Sequence, residues 1–288
     1  MSKWLISIVF IIVNCSSICL QSAAAQDARS YTPSKLLGTG QLEFKQFNNL
    51  YTQTAVFDND GNKQDLDFRV TYFTGITNLL FGIDPRMNIG LDLYFRSVRI
   101  DEKSSSPFSL FKFSSGSDSR SALASIAPKI KLSPFSMVRT LALQTSLIIP
   151  VASNLEGDND QPFLDYDDVQ WWTQFFYDLP LSDRSLAYFE PSLLFRFDSS
   201  RTDFLTPFKA ILNYFPARRW TIYLPVELIP TWDGASWNSY YSQTGLGGKY
   251  YLTSNIELEG LYSIFLVGKN NGAGQTFNLG IRIIGSPW

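Results

Sequence analysis

The sequence predicts an all-β chain, a closed antiparallel up-and-down transmembrane β-barrel of about 12 strands. Three observations predict it. From position 40 onward, segments of about ten residues alternate apolar with polar and are separated by turn formers, as strands do that meet lipid on one side and water on the other. The connections alternate between short turns and longer polar loops, the asymmetry of membrane barrels. No segment beyond the N-terminus has the long apolar run of a spanning helix, so a membrane could be crossed only by a closed barrel.

Residues 1–25 read as a cleaved secretory signal: Lys3 supplies a positive start, Trp4 to Val13 an apolar run, and Ala23-Ala24-Ala25 a small-residue cleavage site. Cys15 and Cys19, the chain's 2 cysteines, leave with it. The mature chain therefore offers no disulfide, thiolate metal site or cysteine nucleophile. The chain has 0 histidines, which removes the commonest metal ligand and the commonest general base. A net charge of -2 gives no reason to expect nucleic acid as a partner. No metal or cofactor is implied.

Residues 26–39 are polar and irregular and read as a periplasmic N-terminal segment, followed by the barrel over 40–288. Strand one spans about Gly40 to Phe57, ahead of the loop at Asp58 to Asn62. The hairpin from Leu66 to Phe95 carries strands two and three. Its first arm sets Leu66, Phe68, Val70, Tyr72, Thr74 and Ile76 on an apolar face against Asp65, Asp67, Arg69, Thr71, Phe73 and Gly75. The second arm sets Ile89, Leu91, Leu93 and Phe95 against Asn88, Gly90, Asp92, Tyr94 and Arg96. A Ser-rich stretch, Glu102 to Ser119, reads as a mobile surface loop, and the acidic Asn154 to Asp165 as another.

Strand four falls at about Ser121 to Leu132, strand five around Leu141 to Ile149, strand six around Val169 to Tyr177 and strand seven around Phe189 to Phe197. Strands eight to twelve follow at about Asp203 to Phe215, Trp220 to Leu228, Tyr240 to Leu252, Ile256 to Val267 and Thr276 to Ile284. Pro85, Pro134, Pro180 and Pro216 fall in the short turns. Pro128, Pro150, Pro191, Pro207, Pro225 and Pro230 fall inside or at the ends of strands and should mark bulges or rims, because a closed barrel has no edge to tolerate a missing donor.

Charge at mid-depth is costly against lipid, so the polar face must turn inward. The lumen-lining candidates are Asp67, Arg69, Asp92, Arg96, Glu190, Arg196, Lys209, Glu227, Lys249, Glu257, Glu259 and Arg282, with Asp65 and Lys129 on the same face. They suit either a lumen filled by salt bridges or a narrow aqueous path that selects by charge. Tyr94, Trp172, Tyr188, Tyr223 and Tyr241 share that face and either fill the lumen or line a pocket for hydroxylated or aromatic compounds. Trp171, Trp220, Trp232, Trp237 and Trp288 lie near strand ends, where indoles form interfacial girdles.

The stretch Gly75-Ile76-Thr77-Asn78 through Gly90-Leu91-Asp92-Leu93-Tyr94, the aromatic-ended hairpins and the terminal Trp288 resemble bacterial outer-membrane barrels. In style the chain is similar to the family named for outer-membrane proteins of the phenol degradation meta-pathway. The resemblance implies the outer membrane of a Gram-negative bacterium, outer-membrane lipid as surroundings, and the barrel-assembly machinery as a partner reading the terminal aromatic. Gly285-Ser286-Pro287 interrupts the alternation before that residue. The expected function is a passive channel for small polar or aromatic solutes. The alternative is a plugged structural barrel acting through its external loops. An outer-membrane enzyme is a third class, disfavoured because familiar barrel enzymes resemble one another in using histidine.

Overall fold

The computed structural model describes residues 32–112, 116–135, 137–138, 140–157, 161–197 and 202–286. Residues 1–25, read above as a signal, and Trp288 lie outside them. The strands are β1 (Leu42–Phe57), β2 (Lys63–Asp84), β3 (Met87–Glu102), β4 (Ser119–Leu132), β5 (Leu141–Pro150), β6 (Gln170–Ser182) and β7 (Ser185–Phe197). They continue as β8 (Thr202–Leu205), β9 (Phe208–Ala217), β10 (Trp220–Trp232), β11 (Trp237–Tyr251), β12 (Ile256–Lys269), β13 (Asn271–Gly272) and β14 (Gln275–Gly285). β8 and β9 are one stave interrupted at Thr206 and Pro207, and β13 and β14 one stave interrupted at Ala273 and Gly274, so twelve staves make the wall. Each pairs antiparallel with its chain neighbour, and β14 pairs back onto β1 from Leu42↔Gly285 to Thr52↔Gln275. Closure leaves no open edge.

Register fixes which residues share a face. Around the ring, Lys45, Asn78, Asp92, Ala127, Ile148, Gln170, Arg196, Asp203, Lys209, Glu227, Gln243, Glu259 and Gly280 belong to one inward set. The outward set is apolar. Along β10 it reads Trp220, Ile222, Leu224, Val226 and Leu228, each 43–51% exposed, and ends at Trp232. At the loop end the outward rings touch in series across the wall, from Trp171 to Phe195 (5.7 Å), Phe204 (5.9 Å) and then Trp232 and Trp237 (6.0 and 5.5 Å). At the turn end Trp220 packs on Tyr250 at 4.5 Å. Indoles at both ends of an apolar band suit the two interfaces of a bilayer.

The first arm of the long hairpin departs from its sequence reading. Between Gln53 and Ala55 the β1–β2 register shifts, so that Gln53 pairs Val70 but Ala55 pairs Asp65. The bulge absorbs extra β2 residues and reverses the parity. Above it Tyr72, Thr74, Ile76 and Asn78 face inward and Phe73 outward, where Phe73 meets Phe95 and Phe111 at 6.3 and 5.4 Å. The Ser-rich loop carries a 3-10 turn, Pro107–Lys112, that contacts β2 and β3 on this outer side.

The prolines sit where the ladders can spare a donor. Pro128 pairs Leu91 of β3 but falls in a break in the β4–β5 ladder; Pro191 keeps Phe208 and breaks β6–β7; Pro225 keeps Ile211 and breaks β10–β11. A missing N–H costs one neighbour only, because successive residues donate to opposite sides. Two turn assignments need correction. Pro180 lies within β6, paired with Leu186, and Pro216 within β9, because both strands run on to tighter turns at 183–184 and 218–219.

If the outward set meets lipid, Leu224→Arg at the middle of β10 costs about 2–4 kcal/mol of folding stability in phospholipid vesicles. A urea titration measures it, and an unchanged midpoint would contradict the outward assignment.

Candidate functional site

The interior is built from the inward set, and its charges occur in bonded groups. On β3 and β4, Lys129 Nζ donates to Asp92 at 2.7 Å and Asn78 Nδ2 donates to the same oxygen at 2.8 Å. Both ionic side chains are less than a tenth exposed. Across β1, β11, β12 and β14, Arg282 reaches Glu257 at 2.8 Å and Glu43 at 3.7 Å, while Lys45 and Lys249 flank Glu259 at 3.4 and 3.7 Å. The Tyr223 hydroxyl donates to Glu259 at 2.7 Å, and Arg282 donates to the Tyr251 hydroxyl at 2.8 Å. On β9 and β10 Lys209 pairs Glu227 at 2.9 Å, with Gln243 donating to Glu227 at 2.7 Å. Glu190 accepts from Tyr188 and Gln174 at 2.6 and 2.7 Å.

Two chain segments enter this interior. At the turn end Thr32 to Gly38 lie inside the wall rather than in the periplasmic space assigned from their polarity. Ser34 and Leu37 are 1% and 3% exposed. The Thr32 and Ser34 hydroxyls both donate to Asp178, and Lys131 Nζ donates to the carbonyls of Pro33 and Lys35, each at 2.7 Å. Leu36 packs on Ala142, Phe176 and Tyr188. The chain then turns through Gly38 and Gly40, whose φ is +76°, into β1. Gly82 of β2 is required here: a Cβ on it would stand 2.1 Å from the Gly38 carbonyl oxygen.

At the loop end residues 151–157 and 161–169 fold inward. Leu155 and Leu164 are buried against Val70, Val98 and Ala124. Arg120 donates to the carbonyls of Asn154 and Pro162, and Asp167 caps the Leu155 amide at 2.8 Å. Asp165 then pairs Arg96 at 3.0 Å, and the Arg196 guanidinium lies 3.6 Å from the Tyr166 ring centre while reaching Asp203 at 3.8 Å. Two arginines, two carboxylates and a tyrosine therefore converge near one mouth. The acidic stretch, read as an external surface, contributes buried residues instead, and Leu155 and Leu164 were the signal for it.

Of the lumen-lining candidates, Asp92, Arg96, Glu190, Arg196, Lys209, Glu227, Lys249, Glu257, Glu259 and Arg282 all stand in the inward set. Asp67 and Arg69 do not. Asp67 is exposed beside the β2 bulge, and Arg69 donates to Thr52 Oγ1 and the Lys103 carbonyl on the outer side. The charged inward residues absent from the candidates are Glu43, Lys45, Lys131, Asp178 and Asp203, of which Lys131 and Asp178 anchor the N-terminal segment. Among the described residues no group of three or more acidic, histidine or cysteine side chains is placed to hold a metal.

No protein-family model matches the chain, and no curated protein matches it. Solved structures do. The COG4313 outer membrane channel from Pseudomonas putida F1 aligns at a TM-score of 0.70 and 13% identity, over 88% of this chain and 99% of that one. The likeness is one of fold. The beta domain of the Bordetella autotransporter BrkA aligns at 0.55 and 10% identity, over 84% and 98%. Both are likenesses of the closed β-barrel fold described above.

Lys129→Met would leave Asp92 buried without its counter-charge and lower stability by about 3–5 kcal/mol, whereas Asp92→Asn combined with Lys129→Met recovers most of that loss. Denaturant titrations of the single and double variants measure the difference.

Proposed function

We propose that the chain is an outer-membrane channel that passes small solutes through its interior by diffusion. The observation that carries this reading is a closed wall, apolar outside, around a charged and hydrogen-bonded interior into which the chain folds a segment at each end. A fully apolar fill would serve a purely structural barrel at less desolvation cost. Inward charges held in fixed pairs instead provide stationary dipoles along an aqueous path. The fold likeness to an outer-membrane channel supports the same role and the outer membrane as its place. The turn end is then periplasmic and the loop end external.

The proposal is not enzymatic. Without histidine, a nucleophile would need a lysine or carboxylate partner, and the interior lysines and carboxylates described here are engaged in ion pairs or, for Lys131, Asp178 and Glu190, with carbonyls, hydroxyls and an amide. The finer reading is of small polar or aromatic solutes. Tyr94, Trp172, Tyr188, Tyr223 and Tyr241 stand among the inward charges and offer apolar faces with hydrogen-bonding tips. A second reading, a plugged barrel, is favoured by the anchoring of Thr32 to Gly38 across the turn end. It predicts no current.

Refolded mature protein in a planar bilayer tests both. Stable current steps support the channel, and silence from protein shown to be folded supports the plug. Asp178→Ala removes the common acceptor of Thr32 and Ser34 and should raise conductance; an unchanged value would mean that this segment does not limit the path. Arg196→Glu places an anion beside Tyr166 and Asp203, and the reversal potential under a salt gradient should shift toward cation selectivity. No shift would take Arg196 out of the conducting path.

A further inference from the structure

The break at Pro128 has apolar side chains on both its outer and its inner side. The β4–β5 ladder runs through Ser125↔Pro150 and Ile126↔Ile149 and resumes at Lys129↔Ser146. Between them Ala127 faces Ile148 and Pro128 faces Leu147 by register, with no ladder pair at either position. On the outer side of this break is a groove of about 730 Å³ walled by Ile89, Pro128, Ile130, Leu147, Trp171 and Phe197. That volume falls within the range of small-molecule sites. The groove also reaches Lys129 and Ser146, which belong to the inward set, so its floor is the seam itself.

Directly behind the seam the inner face is apolar too. Tyr94, Ala127 and Ile148 form a buried cluster, with Ile76, Trp172 and Leu194 packed against it. The Lys129–Asp92 ion pair borders this patch, with Asp92 directly opposite Ala127, and two further polar atoms interrupt it. Trp172 Nε1 and Ser146 Oγ, on directly paired residues, are buried and have no hydrogen-bond partner among the described residues. Ser146 is 3% exposed. The seam at Pro191 is backed by Glu190 bonded to Gln174, and that at Pro225 is flanked by Tyr223 bonded to Glu259 and Glu227 bonded to Gln243.

We propose that the β4–β5 seam is a lateral portal through which a small aromatic molecule carrying one hydrogen-bonding group passes between the bilayer and the barrel interior. The outer groove collects the apolar body from lipid. Parting the seam needs no backbone ladder bond at Pro128, which has no donor to lose. On the inner side the ring packs against Tyr94 and Ile148, and Trp172 Nε1 and Ser146 Oγ bond its polar group. The inference rests on the channel reading only for onward passage from the interior.

The test locks the seam. In Ala127→Cys with Ile148→Cys, residues that face each other across an antiparallel pair lie within disulfide reach. Cys15 and Cys19 both lie in the signal segment, so the engineered pair is alone in the mature chain. Cells relying on this protein take up radiolabelled 1-naphthol as the bilayer-soluble probe and arabinose as the water-soluble one. Oxidation should reduce naphthol uptake to the level of cells without the protein, and a reductant should restore it, while arabinose uptake and single-channel conductance stay unchanged. Unaltered naphthol uptake in the oxidised protein, or parallel loss of both probes, overturns the portal. Pro128→Ala restores the donor without a cross-link and should slow naphthol uptake alone; wild-type uptake in that variant also overturns it. A silent wild type whose naphthol uptake still follows the lock would refute the channel and leave the portal standing. A conducting protein indifferent to the lock would do the reverse.

Discussion

The wall depends on one constraint: in hydrocarbon, a backbone N–H or C=O without a partner has no water to turn to. Closure of β14 onto β1 meets it around the ring, and the inward and outward sets follow because a closed ladder fixes register everywhere at once. The prolines show how strictly the constraint acts. Each of Pro128, Pro191 and Pro225 retains its pairing with one neighbour and surrenders the other, so every gap is confined to a single seam. Each gap therefore leaves the ladder on the other side of its strand intact.

The interior follows a second constraint. Ionic groups removed from bulk water are tolerated only with partners, and the inward set supplies them at nearly every site described. Arg282 between Glu257 and Glu43, and Glu259 between Lys45 and Lys249, share charges across four strands. Such sharing makes the interior stiff, because moving one side chain strands its neighbours. It also keeps the field local, since opposite charges a few ångströms apart cancel at longer range. The exception in character is the loop-end mouth, where Arg196 meets an aromatic ring and a carboxylate at 3.8 Å rather than a close salt bridge.

Much of this was legible in the sequence, for a reason that also marks the limits. Period-two alternation records which solvent each residue meets, so β3, β5, β6, β7 and β10 could be assigned to faces from pattern alone. β2 could not. Its tall loop-side end alternates as strongly as its membrane part, and the bulge between Gln53 and Ala55 reverses the phase without leaving a mark in composition. Arg69 was therefore placed inside when it faces out. The inward-folded segments were hidden by a different effect. Thr32 to Gly38, 151–157 and 161–169 are polar and irregular, like any exposed connection, and only the tertiary partners Asp178, Lys131 and Val98 reveal that they are enclosed.

The two enclosed segments are anchored by different chemistry. The loop-end segment is held by an apolar cluster of Leu155 and Leu164 with Val70 and Val98, and braced internally by Asp167. Releasing it would expose that apolar surface to water, so it is held firmly in place. The N-terminal segment is held mainly by hydroxyls on Asp178 and carbonyls on Lys131, with Leu36 as its apolar contact. Water can replace each of those hydrogen bonds at small net cost. Of the two segments, the one entering from the turn end is therefore the one whose displacement the energetics favour. The only covalent tether to the wall among the described residues is the Gly38 to Gln41 turn, which gives it a pivot at the rim.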